Sequence, residues 1–332
     1  MSNSNGSPRA RLVSTGRFNP PRVVPNAELE KMVDTNDEWI RTRTGIRERR
    51  LADPGTGAAD MGAAAARVAM ERAGLDPKDV DVLMVSTATP DRLLPSTACD
   101  VQALLGATNA AAYDFATACS GFLYGLSLAE GHIAAGQAKN VVLIATERMS
   151  SIIDWTDRST CVLFGDGAGA AVIQPAEDER GILSSFMKAD GTLAELLYRP
   201  AGGARIPIDV AVLDERSHLV KMAGPEVFKS AVRAMCEAAE SALKRAGVTA
   251  DEIDLLVPHQ ANNRIIEATA KYAGIPMDKV FVNVDRYGNM SSASVPVALD
   301  EAREQGRIRE GSLVLMVAFG AGFTWAANVV RM

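Results

Sequence analysis

The sequence predicts an α/β protein of five layers assembled from two duplicated halves, and three observations carry that prediction. Stretches with helical periodicity alternate with short apolar strands along most of the chain. Landmarks recur: Arg72-Ala73-Gly74-Leu75 leading to Asp81-Val82-Leu83-Met84 returns as Arg245-Ala246-Gly247-Val248 leading to Asp254-Leu255-Leu256-Val257, 173 residues on. Asn140-Val141-Val142-Leu143-Ile144-Ala145 likewise returns as Ser312-Leu313-Val314-Leu315-Met316-Val317, at an offset of 172. Two echoes in one order at nearly one offset point to two copies of a single unit. Third, the strands are near-continuous Val, Leu and Ile, so each sheet is covered by helices on both faces. Two such sheets sharing a central pair of buried helices make five layers.

In the first half the pattern predicts a helix over 58–73, a strand over 80–87, a helix over 97–105, a strand over 111–115, a helix opening at Cys119 and a strand over 141–145. In the second it predicts helix 225–246, strand 253–257, helix 262–273, strand 280–284, helix 292–305 and strand 313–317. Residues 1–10 read as a disordered tail: polar, without the apolar core of a signal peptide. Residues 11–178 form the half that carries a candidate nucleophile, and 179–332 the half that carries His259 and Asn289.

Composition excludes several classes. A formal charge of −6 argues against a nucleic-acid partner, which calls for a basic face. No run approaches the ~18 apolar residues of a membrane span, so no membrane is expected. Cys99, Cys119, Cys161 and Cys236 show no C-x-x-C spacing, which suits reduced thiols in a cytoplasm and gives no metal site.

Candidate chemistry gathers at strand ends. Ala116-Thr117-Ala118-Cys119-Ser120-Gly121 follows the strand over 111–115 and opens a segment with no charge before Glu130, expected to be a helix buried on every side. A thiol at such a helix start is expected to ionise more easily than a free one and to act as a nucleophile; a packing cysteine is the alternative. Of three histidines, His132 lies more than three turns along that helix and His218 sits in a polar stretch, so both read as structural. His259 ends a strand in Val257-Pro258-His259-Gln260-Ala261-Asn262, where an α/β strand delivers side chains to a site. Asn289, in Tyr287-Gly288-Asn289, reads first as a turn residue, but it too follows a predicted strand. Phe319-Gly320-Ala321-Gly322-Phe323 is a small-residue loop whose amides can approach a ligand. Gly165-Asp166-Gly167-Ala168-Gly169-Ala170 precedes an apolar run instead of joining strand to helix, so close backbone packing fits better than dinucleotide binding.

Ala118-Cys119-Ser120-Gly121, Val257-Pro258-His259-Gln260-Ala261-Asn262, Tyr287-Gly288-Asn289 and Phe319-Gly320-Ala321-Gly322-Phe323-Thr324-Trp325 resemble the four signature blocks of the β-ketoacyl-acyl-carrier-protein synthase III family. Asp34-Thr35-Asn36-Asp37-Glu38-Trp39-Ile40, Arg43-Thr44-Gly45-Ile46 and Phe164-Gly165-Asp166-Gly167-Ala168-Gly169 are similar to further blocks, and the match runs from about Arg11 to Met332. The resemblance implies the thiolase-like αβαβα fold. It also implies decarboxylative condensation of an acyl-CoA primer with malonyl-acyl carrier protein, initiating fatty-acid synthesis through an acyl-cysteine, in a cytoplasmic homodimer without cofactor. By the same resemblance Cys119, His259 and Asn289 are catalytic, and the amides of Cys119 and Ala321 form the oxyanion hole. Thr35, Trp39, Arg43, Arg158, Gly224, Phe228, Ala261 and Asn262 contact CoA, with adenine between Trp39 and Arg158. Arg264 docks the carrier protein, and Leu94 reaches the partner subunit's acyl pocket. Family members that use acetyl primers often carry Phe in the segment of Leu94; Ser159 replaces a usual Gly and Met290 a usual Thr, two changes expected to reshape the pocket. A condensing enzyme or acyltransferase of polyketide or quinolone synthesis is the neighbouring expectation, and a Cys-His-Asn hydrolase the one from another class.

Overall fold

The computed structural model describes residues 9–332. The first half runs β1 (Ala10–Phe18), β2 (Arg22–Pro25), α1 (Asn26–Leu29), α2 (Asp37–Thr44), β3 (Glu48–Leu51), α3 (Ala58–Ala73), β4 (Val82–Ser86), α4 (Thr97–Leu105), β5 (Ala111–Phe115), α5 (Gly121–Ala134), β6 (Val141–Arg148) and β7 (Asp166–Pro175). The second runs β8 (Gly181–Ala189), β9 (Leu197–Tyr198), α6 (Val210–Asp214), β10 (Lys221–Met222), α7 (Gly224–Ala246), β11 (Leu255–Pro258), α8 (Asn263–Ala273), α9 (Val284–Tyr287), α10 (Ser294–Glu304), β12 (Leu313–Gly320) and β13 (Thr324–Arg331). The tail expected over 1–10 falls mostly outside the described residues; Ala10 already opens β1.

The duplication is visible in the sheets. One has the order β1-β7-β6-β4-β5, the other β8-β13-β12-β11, and the shared part pairs in the same senses: β4 is parallel to β6 as β11 is to β12, the strands beyond β6 and β12 are antiparallel, and the first sheet adds β5, parallel to β4. Three apolar layers separate the elements. Ala63, Ala66 and Ala69 of α3 pack with Leu83, Ile144 and Val172 on one outer face. Between the sheets, Phe122 and Leu126 of α5 meet Val295 and Leu299 of α10 together with Met84 and Met316. Ala238 and Ala242 of α7 and Ile266 of α8 pack with Leu256, Leu315 and Val329 on the other outer face. Helix, sheet, helix pair, sheet, helix are the five layers expected, and among the described residues no helix is long and apolar enough to cross a membrane.

Two expectations are corrected. The segment 280–284 is not a strand: Val280 makes a single bridge to Leu256, and the chain then turns into α9. A side chain replaces the ladder, because Gln260 donates to the Phe281 carbonyl at 3.1 Å and accepts from the amides of Asn283 and Val284 at 2.9 and 3.2 Å. The helix following Cys119 is not buried on every side either, since Leu128 of α5 is exposed. It is α10 whose residues from Ser294 to Ala302 are all buried. The Gly165–Gly169 run packs backbone closely, as read from sequence: a Cβ at Gly165 would meet the Tyr287 carbonyl at 2.3 Å, and one at Gly169 would meet Pro296 at 2.7 Å.

Candidate active site

Cys119 sits in a 3-10 turn, Ala118–Ser120, that links β5 to α5. Glycines let this turn press into the interface between the halves. A Cβ at Gly121 would lie 1.8 Å from the Ser86 hydroxyl oxygen, and one at Gly320 would lie 2.5 Å from the Cys119 amide nitrogen. Gly320 ends β12, so the loop carrying Ala321 leaves directly from beside the nucleophile's backbone.

His259 follows the end of β11, its amide donating to the Val317 carbonyl at 2.8 Å. Asn289 is held by backbone on both sides, its amide donating to Leu163 at 2.8 Å and its carbonyl accepting from Gly165 at 3.0 Å. Its side-chain oxygen accepts from the Ser291 amide at 2.8 Å, which leaves the side-chain NH₂ as the free end. Gly288 before it holds φ +65°, and a Cβ there would meet the Leu163 carbonyl at 2.8 Å, so glycine is required for this turn.

Cys119, His259 and Asn289, only 7, 4 and 7 % exposed, line one cavity of about 750 Å³. The three sequence candidates therefore meet. So do Trp39, Arg43, Gly224, Phe228, Ala261, Asn262 and Arg264, which line the same cavity toward its mouth. Its walls add Phe164, Leu197, Met222, Met235, Ile265 and Phe319, none singled out from sequence for this role. Thr35, Arg158, Ala321 and Leu94 are not on the lining. Arg158 lies at the rim, its guanidinium 5.2 Å from the Trp39 ring centre and donating to the Asp34 carbonyl at 2.8 Å. Arg43 also lies over that ring, at 4.7 Å. Leu94 is 87 % exposed and does not line its own chain's cavity. Of the two pocket departures, Ser159 does line the cavity, whereas Met290 is fully buried against Tyr287, Ala293 and Val297 and leaves the pocket's shape alone.

Electrostatics correct one expectation. Burial pushes the Cys119 thiol up to about 12, and the charge of Glu147 adds to that push. The start of α5 does not offset that desolvation, so the resting sulfur is a thiol. Burial holds the His259 imidazole down to about 4, so the ring is neutral at physiological pH. Glu147, at the end of β6, and Ser291 are site residues that sequence reasoning missed. The one acid in the strand 141–148, just past its apolar run 141–145, was the available signal. His132 and His218 are structural as read: His132 bonds the Tyr113 hydroxyl at 2.9 Å, and His218 approaches the Val212 carbonyl at 3.3 Å.

This arrangement has close relatives. Family models described as 3-Oxoacyl-[acyl-carrier-protein (ACP)] synthase III, and as its C-terminal part, match residues 113–191 and 243–332. The Beta-ketoacyl-[acyl-carrier-protein] synthase III of Caldanaerobacter subterraneus is 52% identical over 322 residues, 97% of this chain and 97% of the relative. The chain belongs to the 3-oxoacyl-[acyl-carrier-protein] synthase III family. It is accordingly an enzyme, an acyltransferase with the thiolase-like fold. The solved synthase III of Aquifex aeolicus superposes with a TM-score of 0.90 at 47% identity, covering 97% of this chain and 100% of that one. The priming β-ketosynthase of the R1128 polyketide pathway superposes with a TM-score of 0.92 at 38% identity, covering 98% and 97%.

Proposed function

We propose that this synthase III condenses an acyl-CoA primer with malonyl-acyl carrier protein, giving 3-oxoacyl-acyl carrier protein, CoA and CO₂, and so initiates fatty-acid synthesis. The observation that carries this reading is the convergence of a buried sulfur, a neutral imidazole and a free carboxamide NH₂ on one cavity.

In the first half-reaction the Cys119 sulfur attacks the primer thioester, and the amides of Cys119 and Ala321 stabilise the tetrahedral oxyanion. The thiol proton leaves with the CoA sulfur, so the exchange is neutral. Malonyl-acyl carrier protein then enters. His259 and Asn289 donate hydrogen bonds to its thioester oxygen and stabilise the enolate left when CO₂ departs. A neutral His259 suits this role, because an enolate oxygen needs a donor and a cationic ring would protonate it. The carbanion attacks the acyl group on Cys119, the C–S bond breaks, and the sulfur recovers a proton from solvent. Loss of CO₂ drives the sequence, so no cofactor is required.

The CoA reading rests on the cavity mouth. Arg158 and Trp39 are 5.2 Å apart, less than the ~7 Å that two van der Waals contacts around a flat ring require, so adenine binding moves Arg158 off the indole. Arg264 is the docking cation for the acidic carrier protein; it lies beside the mouth with its guanidinium 5.3 Å from the Phe228 ring. The homodimer is supported by β5, an edge strand in the sheet order, and by Leu93 and Leu94, both exposed. In that dimer Leu94 reaches the partner's acyl pocket, the halves divide at 178, and the enzyme works in the cytoplasm. A second reading, a condensing enzyme or acyltransferase of polyketide or quinolone synthesis, is favoured by the likeness to the R1128 priming enzyme. Intact mass of the protein after incubation with acyl-CoAs of different lengths, followed by malonyl-acyl carrier protein from the fatty-acid pathway, separates the two.

A further inference from the structure

A buried acid lies behind the sulfur, and the mechanism above does not use it. Glu147 is fully buried, and among the described residues it makes no ion pair. One carboxylate oxygen accepts from the Thr89 hydroxyl at 2.7 Å, the Ala88 amide at 3.1 Å and the Thr87 hydroxyl at 3.4 Å. The other accepts from the Ser292 hydroxyl at 2.7 Å, the Ser291 hydroxyl at 3.0 Å and the Ser292 amide at 3.4 Å. A backbone amide and hydroxyls thus reach each oxygen, and these donors oppose the upward push that burial gives the Glu147 carboxyl. The loop 87–89 and the turn 291–293 face the carboxylate with hydroxyls and amides. The neighbouring Arg148 guanidinium is turned away toward the Asp53 carbonyl. The titratable group facing this cluster is Cys119, whose sulfur lies 3.6 Å from the Ser291 hydroxyl oxygen.

Ser291 has one hydroxyl proton and two neighbours that could receive it. A carboxylate oxygen at 3.0 Å is a far stronger acceptor than a sulfur at 3.6 Å, so the proton goes to Glu147. The hydroxyl then turns a lone pair to Cys119, and the thiol S–H donates to it. We propose that Glu147 is a positioning residue for the nucleophile: by taking the Ser291 proton it makes Ser291 an acceptor only, and so holds the resting sulfur as a thiol. A thiolate there would be a second anion in a dry site and would find no hydroxyl donor. The protonated sulfur resists alkylation and oxidation until a thioester arrives, and its proton then leaves on the CoA sulfur, so the charge balance of acylation is unchanged.

The inference concerns the nucleophile of the function proposed above, but its test reads the sulfur itself and stands whether or not Cys119 carries an acyl group. The rate of iodoacetamide alkylation at Cys119, followed by intact mass across pH, is measured for wild type, Glu147→Gln, Glu147→Asp and Ser291→Ala. Glu147→Gln removes the charge and offers Ser291 an amide donor, freeing the serine proton for the sulfur. Its alkylation midpoint falls by about one pH unit, which is about tenfold faster labelling at a fixed pH below the midpoint. Glu147→Asp keeps the wild-type midpoint. Ser291→Ala labels a few-fold faster than wild type, because an accepting hydroxyl favours the thiol; this variant decides the matter alone if Glu147→Gln does not fold. A Glu147→Gln profile that overlays wild type, or slower labelling in Ser291→Ala, overturns the proposal.

Discussion

Ala118 and Ser291 stand 173 residues apart and share one backbone conformation, φ +47° in each. Each opens a 3-10 turn, Ala118–Ser120 and Ser291–Ala293, that leads into one of the two central helices, α5 and α10. The left-handed region costs a residue other than glycine of order 1 kcal/mol, and here the duplicated unit carries that strain twice. One copy places the sulfur of Cys119 at its turn and the other places the Ser291 hydroxyl 3.6 Å from that sulfur. The site is thus made where the two equivalent turns meet.

The division of labour predicts a split phenotype. Cys119→Ala takes up no label from acyl-CoA yet still decarboxylates malonyl thioester. His259→Ala still acylates but loses decarboxylation by at least 10²-fold, the usual size of such a contribution. Radiolabel retention and CO₂ release measure the two separately, and condensation surviving in either variant contradicts the assignment.

Gly320→Ala tests the close approach of β12 to the nucleophile. The added Cβ would lie 2.5 Å from the Cys119 nitrogen, so the turn or the oxyanion loop must move. A displacement of about 1 Å is expected to lower kcat about 10²-fold. A variant that folds and keeps wild-type kcat shows that the amide position does not matter.

The depressed imidazole fixes a pH window. The unfolded chain binds a proton at His259 below about pH 6.5, whereas the folded ring stays neutral down to about 4. Its contribution therefore leaves stability unchanged above about pH 6.5 and erodes it as pH falls from there toward 4. Malonyl decarboxylation, which needs the neutral ring, persists at pH 5 in folded protein. An acid limb centred near 6.5 would show an exposed, ordinary histidine.

Arg264→Glu raises the KM for malonyl-acyl carrier protein about tenfold and leaves that for acyl-CoA within a factor of two. This matches an exposed cation beside the mouth that meets a negative protein partner. Equal effects on both substrates would assign Arg264 to CoA instead.

Much of this was legible in the sequence, for reasons that differ by element. Helices α3 and α4 end where they were expected because Gly74 and Gly106 take left-handed C-caps, a signal carried by residue type alone. His259 was legible because a strand end is where an α/β sheet delivers side chains. The segment 280–284 was misread because its apolar residues are buried as a strand's are, while beyond one backbone bond from Phe281 to Leu256 its polar groups turn to a distant side chain, Gln260. The thiol's behaviour was also illegible. Position at a helix start favours ionisation, but the burial that opposes it depends on Gly320, Asn289 and Phe319 arriving from the other half.

The central claim is that one buried sulfur receives the primer and passes it to a malonyl-derived carbanion within a single cavity. Intact mass of the enzyme tests this most directly, measured after acyl-CoA alone and again after malonyl-acyl carrier protein is added. The account predicts one acyl adduct that maps to Cys119, followed by its loss as 3-oxoacyl-acyl carrier protein appears in equal amount. An adduct that leaves as free acid, with no carbon–carbon product, or no adduct with any acyl-CoA, would contradict it.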